Sequence, residues 1–154
     1  MASSAAFASK WSSSPVTIDM LRAATDRPAT WVYNPDHAQG QLTSLQAGLR
    51  AVGDADAVFF TPIDYPSIRL TTLQLLLDNL ATGDELAVPR YQGQRGHPIL
   101  IRSSLIQDLL DLPASATARQ VIHSHREATR YIDVDDEGIL LDIDTPSDYL
   151  RLMQ

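Results

Sequence analysis

Apolar residues recur along this chain with two alternating periods, and the alternation predicts strands interleaved with helices. Ala57-Val58-Phe59-Phe60 is a short β-prone run that stops at Pro62, the length of a buried strand. Thr30-Trp31-Val32-Tyr33 is another, stopped by Asn34-Pro35-Asp36. Glu85 to Pro89, Pro98 to Ile101 and Thr129 to Val134 read as further strands, and Ile139 to Ile143 is a last short apolar run. Between them the spacing becomes helical. Leu42, Leu45, Leu49 and Val52 recur at three and four, and Leu73, Leu76, Leu77 and Leu80 form the stripe of a helix over Thr71 to Leu80, with Thr71 or Thr72 as its cap. Leu105 to Leu112 follows a Ser103 or Ser104 cap, and Thr117 caps Ala118 to about His125. Thr145, Pro146 and Asp148 have the order of an N-cap, a first helical proline and a residue that reaches back to the cap. Strands alternating with helices argue for an α/β fold with a mostly parallel, covered sheet.

The remaining stretches are polar or small. Met1 to Ser14 reads as a disordered tail, so that residues 15–154 form one domain, and Val16 to Ala24 as a short helix with Ile18 and Leu21 turned inward. Arg90 to His97 carries two glycines and reads as a polar hairpin or lid, and Asp135 to Gly138 as a turn.

Composition narrows the function classes. The 154 residues are 44% hydrophobic and 20% charged, which is ordinary for one globular domain. A net charge of −7 argues against a general nucleic-acid or membrane surface, but not against a nucleotide site, which needs only a local cradle. With no cysteine there is no disulfide framework, thiolate metal site or cysteine nucleophile. No apolar run approaches ~18 residues, and the start lacks the pattern of a secretory signal, so the expected location is cytoplasmic.

The candidate chemistry lies where strands stop. Asp64 stands between Pro62 and Pro66, just past the Phe59-Phe60 strand, where open α/β sheets bind ligands. A carboxylate there suits a Mg²⁺ that carries substrate phosphates, although Asp before Tyr-Pro is also ordinary turn chemistry. Asp142 and Asp144 straddle Ile143 at another junction. Asp144 either caps the last helix with Thr145 or joins Asp64 on one ion. Arg95-Gly96-His97-Pro98 is either a solvated hairpin or a mobile substrate-side loop. Gly40 to Leu45 feeds a helix whose first N–H groups could meet an anion or a base edge. His123 and His125, two apart, diverge on a helix and make a poor metal pair.

Four of these segments, in order, resemble one family, the MobA-like NTP transferases, which include the molybdenum-cofactor cytidylyl- and guanylyltransferases. Asn34-Pro35-Asp36 through Gly40, with Ser44-Leu45 and Gly48-Leu49, is similar to its Asn-Pro…Gly…Ser-Leu…Gly-Leu segment. Ala55 to Pro66 resembles the strand ending in its Gly-Asp-Gln-Pro turn, with Ile63 and Tyr65 here in place of the Gly and Gln. Arg95-Gly96-His97-Pro98 and Leu140-Leu141-Asp142-Ile143-Asp144-Thr145-Pro146 resemble its other two signatures. The resemblance runs from about Thr30 to the end.

The resemblance implies a Rossmann-like nucleotidyltransferase sheet (nucleotide-diphospho-sugar transferase-like) lacking its first βα unit, because nothing in residues 1–30 resembles the family's glycine-rich triphosphate loop. The implied reaction is transfer of CMP or GMP from CTP or GTP to a small phosphorylated acceptor of molybdopterin type, with release of pyrophosphate. Asp64 and Asp144 would be the catalytic residues and hold Mg²⁺. Asn34, Gly40, Ser44, Pro66, Arg95, Gly96 and His97 would contact substrates. No nucleic-acid or membrane partner is implied. Without the loop the chain is expected to turn over poorly, through a gene start set too late or a lost catalytic step; the alternative is a module that binds nucleotide or cofactor without transfer. Partial cover of the sheet by Val16 to Ala24, with self-association into a possible homodimer, is expected for the same reason.

Overall fold

The structure is a computed structural model and describes residues 6–7 and 29–153. The helix expected over Val16 to Ala24 lies outside the described residues. So does the expected tail, apart from Ala6 and Phe7.

Strands β1 (Ala6–Phe7) and β2 (Thr30–Trp31) pair in parallel as a small separate sheet. A 3₁₀ turn, His37–Gln39, leads into helix α1 (Gln41–Ala51). The main sheet contains β3 (Ala57–Phe60), β4 (Leu86–Tyr91), β5 (Gln94–Arg95), β6 (Ile99–Arg102) and β7 (Thr129–Asp133). The order across it is β3-β6-β4-β7, and β5 also pairs with β4. Helices α2 (Leu70–Asn79), α3 (Ile106–Leu110), α4 (Ala118–Ser124) and α5 (Pro146–Leu152) complete the described elements.

The fold is α/β as expected, but the sheet is mixed rather than mostly parallel: β4 and β7 pair in parallel, whereas β6 runs reversed between β3 and β4 and pairs antiparallel with both. The connection decides this direction. Gln92 and Gly93 take φ of 49° and 82°, the left-handed pair of a two-residue hairpin turn, and return the chain beside β4. A parallel return needs a crossover of a dozen or more residues, which this stretch does not have.

Strand alternation builds a core on each face. Leu86, Val88, Ile99 and Ile101 point to one side, where Leu49 of α1, Leu105, Leu109 of α3 and Val121 of α4 close over them. Ala87 and Leu100 point to the other, against Leu76 of α2. Burying each such leucine contributes about 1.5–3 kcal/mol. Between α1 and α3 sits a buried amide: Gln46 Nε2 donates to the carbonyls of Leu109, Leu110 and Leu112 at 3.0, 3.3 and 2.9 Å, satisfying the C-terminal end of α3.

Some local expectations hold and others need correction. Thr145 and Asp148 form a full capping box with Pro146 at the start of α5. On α2, only Leu76 of the expected stripe is fully buried. Thr72 shares its face, whereas Leu77 is 48% exposed. Ser103 opens a 3₁₀ turn instead of capping, and Thr117 stands at the N-cap of α4 with no side-chain hydrogen bond. Ile139 to Ile143 is not a strand: a 3₁₀ turn over Glu137–Ile139 runs into an irregular segment. Among the described residues no helix is long and apolar enough to cross a membrane.

Candidate functional site

The turn after β3 and the segment before α5 lie against each other in opposite directions. The Ile143 N–H donates to the Asp64 carbonyl at 2.9 Å, and the Arg69 N–H donates to Asp136 Oδ2 at 2.9 Å. Between these two bonds Gly138 is pressed against Ser67, so closely that a Cβ at Gly138 would overlap the Ser67 carbonyl. The Arg95-Gly96-His97-Pro98 stretch closes on the same place. The His97 N–H donates to the Ile139 carbonyl at 2.9 Å, and a Cβ at Gly96 would overlap that carbonyl. The three stretches are thus joined by backbone contacts, two of which only glycine permits.

The side chains that meet there are Tyr65 and His97, beside Asp64. The Tyr65 and His97 rings lie 4.8 Å apart, tilted by 55°. Burial pushes the Tyr65 hydroxyl above its ordinary pKa, and the charges of Asp142, Asp64 and Asp144 push it the same way. Burial lowers the His97 pKa, against the opposing pull of Asp64. Asp64 Oδ1, Ser67 Oγ and His97 Nδ1 are buried with no hydrogen-bond partner. Buried polar atoms are nearly always paired, so three orphans in one place mark groups arranged for something other than the fold.

This donor set fits a divalent ion whose coordination is completed by substrate. Among the described residues no cluster of three His, Cys, Asp or Glu side chains could hold a metal alone. Asp64, with an unpaired buried oxygen, and exposed Asp144 offer two carboxylates, the usual protein share where phosphates and waters supply the rest.

The other expected site residues lie apart or turn elsewhere. Asn34 Nδ2 donates to Thr43 Oγ1 and Ser44 Oγ, both at 3.0 Å, and its Oδ1 accepts from the Asp36 N–H, so Asn34 and Ser44 lock the loop onto α1. Gly40 holds φ 126° and ψ 174°, a backbone region essentially reserved for glycine. An open cleft of about 370 Å³ lies beside this loop, lined by Tyr33, Asn34, Asp36 and Arg50 among others and by no residue of the acid turn. Arg95 is exposed, its guanidinium 4.6 Å from the centre of the Tyr131 ring. Pro66 is exposed in the acid turn. His125 is held between Glu85 and Asp108, at 2.5 and 3.0 Å, well separated in role from His123.

Sequence reasoning missed Asp136, which reads as one more acid in a turn yet is 2% exposed and fully bonded. The available signal was Gly138 two residues on, in an Asp-x-Gly order that suits an aspartate folding back onto the backbone.

Comparison with known proteins identifies the family of the chain. Residues 7–129 match the family described as the MobA-like NTP transferase domain. The molybdenum cofactor cytidylyltransferase of Escherichia coli K12 is 30% identical over 129 residues; the match covers 84% of this chain and 65% of that protein. The Rv0371c protein of Mycobacterium tuberculosis H37Rv, solved in complex with manganese, superposes with a TM-score of 0.65 at 26% identity, over 87% of this chain and 72% of that one. A nucleotidyl transferase from Methanothermobacter shares the fold, with a TM-score of 0.68 at 21% identity, over 87% of this chain and 66% of that one. With four fifths of its length matched to one family, the chain belongs to the MobA-like NTP transferases.

Proposed function

We propose that this protein binds a nucleoside triphosphate with a divalent ion at Asp64 and Asp144, and serves transfer of CMP or GMP to a small phosphorylated acceptor of molybdopterin type. The observation that carries this reading is the junction of the acid turn, the His97 stretch and the Asp142–Asp144 segment, where three buried polar atoms are left unpaired. The cytidylyltransferase relative favours CTP over GTP, and the manganese complex of a structural relative favours a divalent ion, with Mg²⁺ the expected one.

In the proposed reaction an acceptor phosphate oxygen attacks the α-phosphorus, the bond to the β-phosphate oxygen breaks, and pyrophosphate leaves. The ion would neutralise phosphate charge when bound. The chain's own part is to position and to exclude water. Asp64 and Asp144 present carboxylates from two loops that hold each other in place. Tyr65 and His97 form an aromatic wall beside them, on the acceptor side with Pro66, Arg95 and Gly96. The Asn34, Gly40 and Ser44 loop faces the nucleotide. A second reading is binding of a nucleotide or cofactor without transfer.

Calorimetry with CTP and GTP, with and without Mg²⁺ or Mn²⁺, tests the proposal, together with pyrophosphate release in the presence of acceptor. Metal-dependent binding with CTP preferred supports the site. Binding without release selects the second reading. No nucleotide binding under any condition overturns both.

A further inference from the structure

We infer that Asp136 is a positioning residue for this site, a buried carboxylate whose hydrogen bonds set the registration of the acid turn, the His97 stretch and the Asp142–Asp144 segment together. The inference rests on the proposed ion site for its functional consequence, but its structural content stands on the hydrogen bonds alone.

Asp136 follows β7 and touches neither Asp64 nor Asp144 by any described hydrogen bond. Its Oδ2 accepts from the Arg69 N–H at 2.9 Å and from the Thr72 hydroxyl at 2.5 Å, while Oδ1 accepts from the Gly138 N–H at 3.0 Å. The Arg69 guanidinium lies 3.8 Å from Oδ1 and also donates to the Asp135 carbonyl at 2.7 Å. One side chain therefore joins the start of α2 to the 3₁₀ turn Glu137–Ile139. It holds the N-cap residue Arg69 by its N–H and the first turn by the Thr72 hydroxyl, at a helix start with no side-chain cap of its own.

The consequence follows from what that 3₁₀ turn carries. Ile139 offers its carbonyl to the His97 N–H, and four residues further on Ile143 grips the Asp64 carbonyl. The turn and the acid loop are bonded at both ends, by Asp136 at one and Ile143 at the other, with the Gly138–Ser67 contact between. If the Asp136 end is released, only the Arg69 guanidinium bond to the Asp135 carbonyl still holds that end, and the Ile143 bond, beside both proposed ion ligands, carries most of the registration between the two loops. A carboxylate so deeply buried is costly unless fully bonded, which this one is. Residues that orient ligands without touching the ion typically change metal affinity 10- to 100-fold.

The test is amide hydrogen exchange on the full chain, paired with Mn²⁺ titration followed by the resonance of free Mn²⁺. In Asp136→Asn, one oxygen becomes an N–H₂ that faces a donor. Exchange at Ile143 and His97 is expected to rise about tenfold or more while the β4–β7 ladder keeps its protection, and Mn²⁺ affinity is expected to fall about tenfold. Thr72→Val, which deletes one donor, is expected to move both readouts the same way by less, with Thr72→Ser restoring wild-type values; this pair decides the matter if Asp136→Asn fails to fold. Equal loss of protection everywhere, or none at Ile143 and His97, overturns the inference. Asp64→Ala separates the two readings: Mn²⁺ binding that is unchanged in Asp64→Ala refutes the ion site, while the exchange pattern of the Asp136 and Thr72 variants still decides the positioning role.

Discussion

The Ile143 amide donates to the carbonyl of Asp64 at 2.9 Å, tying the loop before the last helix to the turn after β3. The bond uses backbone atoms only, so it leaves the Asp64 side chain free. It brings the backbone of the Asp142–Asp144 segment beside the acid turn although Ile139 to Ile143 is not a strand. The acid turn is itself held by Asp136, and the far loop by the capping box of α5. Both carboxylates are therefore presented from braced loops rather than from the ends of two neighbouring strands.

Removing either proposed ligand tests that arrangement. Asp64→Ala and Asp144→Ala should each weaken divalent-ion-dependent nucleotide binding about tenfold or more, equivalent to about 1.4 kcal/mol. Circular dichroism and melting temperature should change little, because loop carboxylates contribute little to the core. Titration calorimetry across a Mg²⁺ series reads the effect, and undiminished Mg²⁺ dependence in both variants would refute the assignment.

Two glycines should resist substitution for a packing reason and a third should not. A Cβ at Gly96 or Gly138 would overlap a backbone carbonyl, whereas one at Gly53 would meet nothing within 4 Å. Gly96→Ala and Gly138→Ala should each lose about 1–3 kcal/mol, as overpacking against an immovable neighbour does. Gly53→Ala should be near neutral or slightly stabilising. Urea melts of the three variants give the comparison; equal effects would show that the loops yield.

Acid should weaken the fold through His97. Burial lowers the folded-state pKa of His97 below its ordinary 6.5. Below that value the unfolded chain takes up a proton that the folded chain refuses. The His97 contribution is therefore level above about pH 6.5, and stability falls as pH drops from there toward the lower folded-state pKa. His97→Asn should flatten this part of the stability profile. Asp64→Asn removes the charge that favours the imidazolium and should extend the loss to lower pH. Chemical denaturation at half-unit pH steps checks both signs, and a wild-type slope that persists in His97→Asn would assign the loss to another group.

Gln46 should matter more than its place on a helix suggests. Its amide donates to three carbonyls at the end of α3. Gln46→Leu has similar size but leaves those carbonyls without this donor, at a cost of about 1–3 kcal/mol. Thermal unfolding of the variant measures it, and a change below about 0.5 kcal/mol would mean that α3 finds other donors.

What the chain determines by itself is local. Ala57 to Phe60 forms a strand where its apolar run predicts one, and Thr145, Pro146 and Asp148 make the cap their spacing predicts, because strand pleat and helix end are set by residues a few positions apart. The order of the Asn34, Asp64, His97 and Asp142 segments is likewise written in the sequence and carries the family resemblance. Tertiary structure alone decided which polar residues went inside. Asp136 resembles a solvated turn acid until Arg69, Thr72 and Gly138 surround it, and Gln46 resembles an exposed helix residue until α3 ends beside it. Thr72 rather than Leu77 lies inside, where its hydroxyl meets Asp136 from beyond the end of β7. Periodicity measures how apolar a face is, whereas a buried hydrogen bond depends on a partner that only the folded chain brings near.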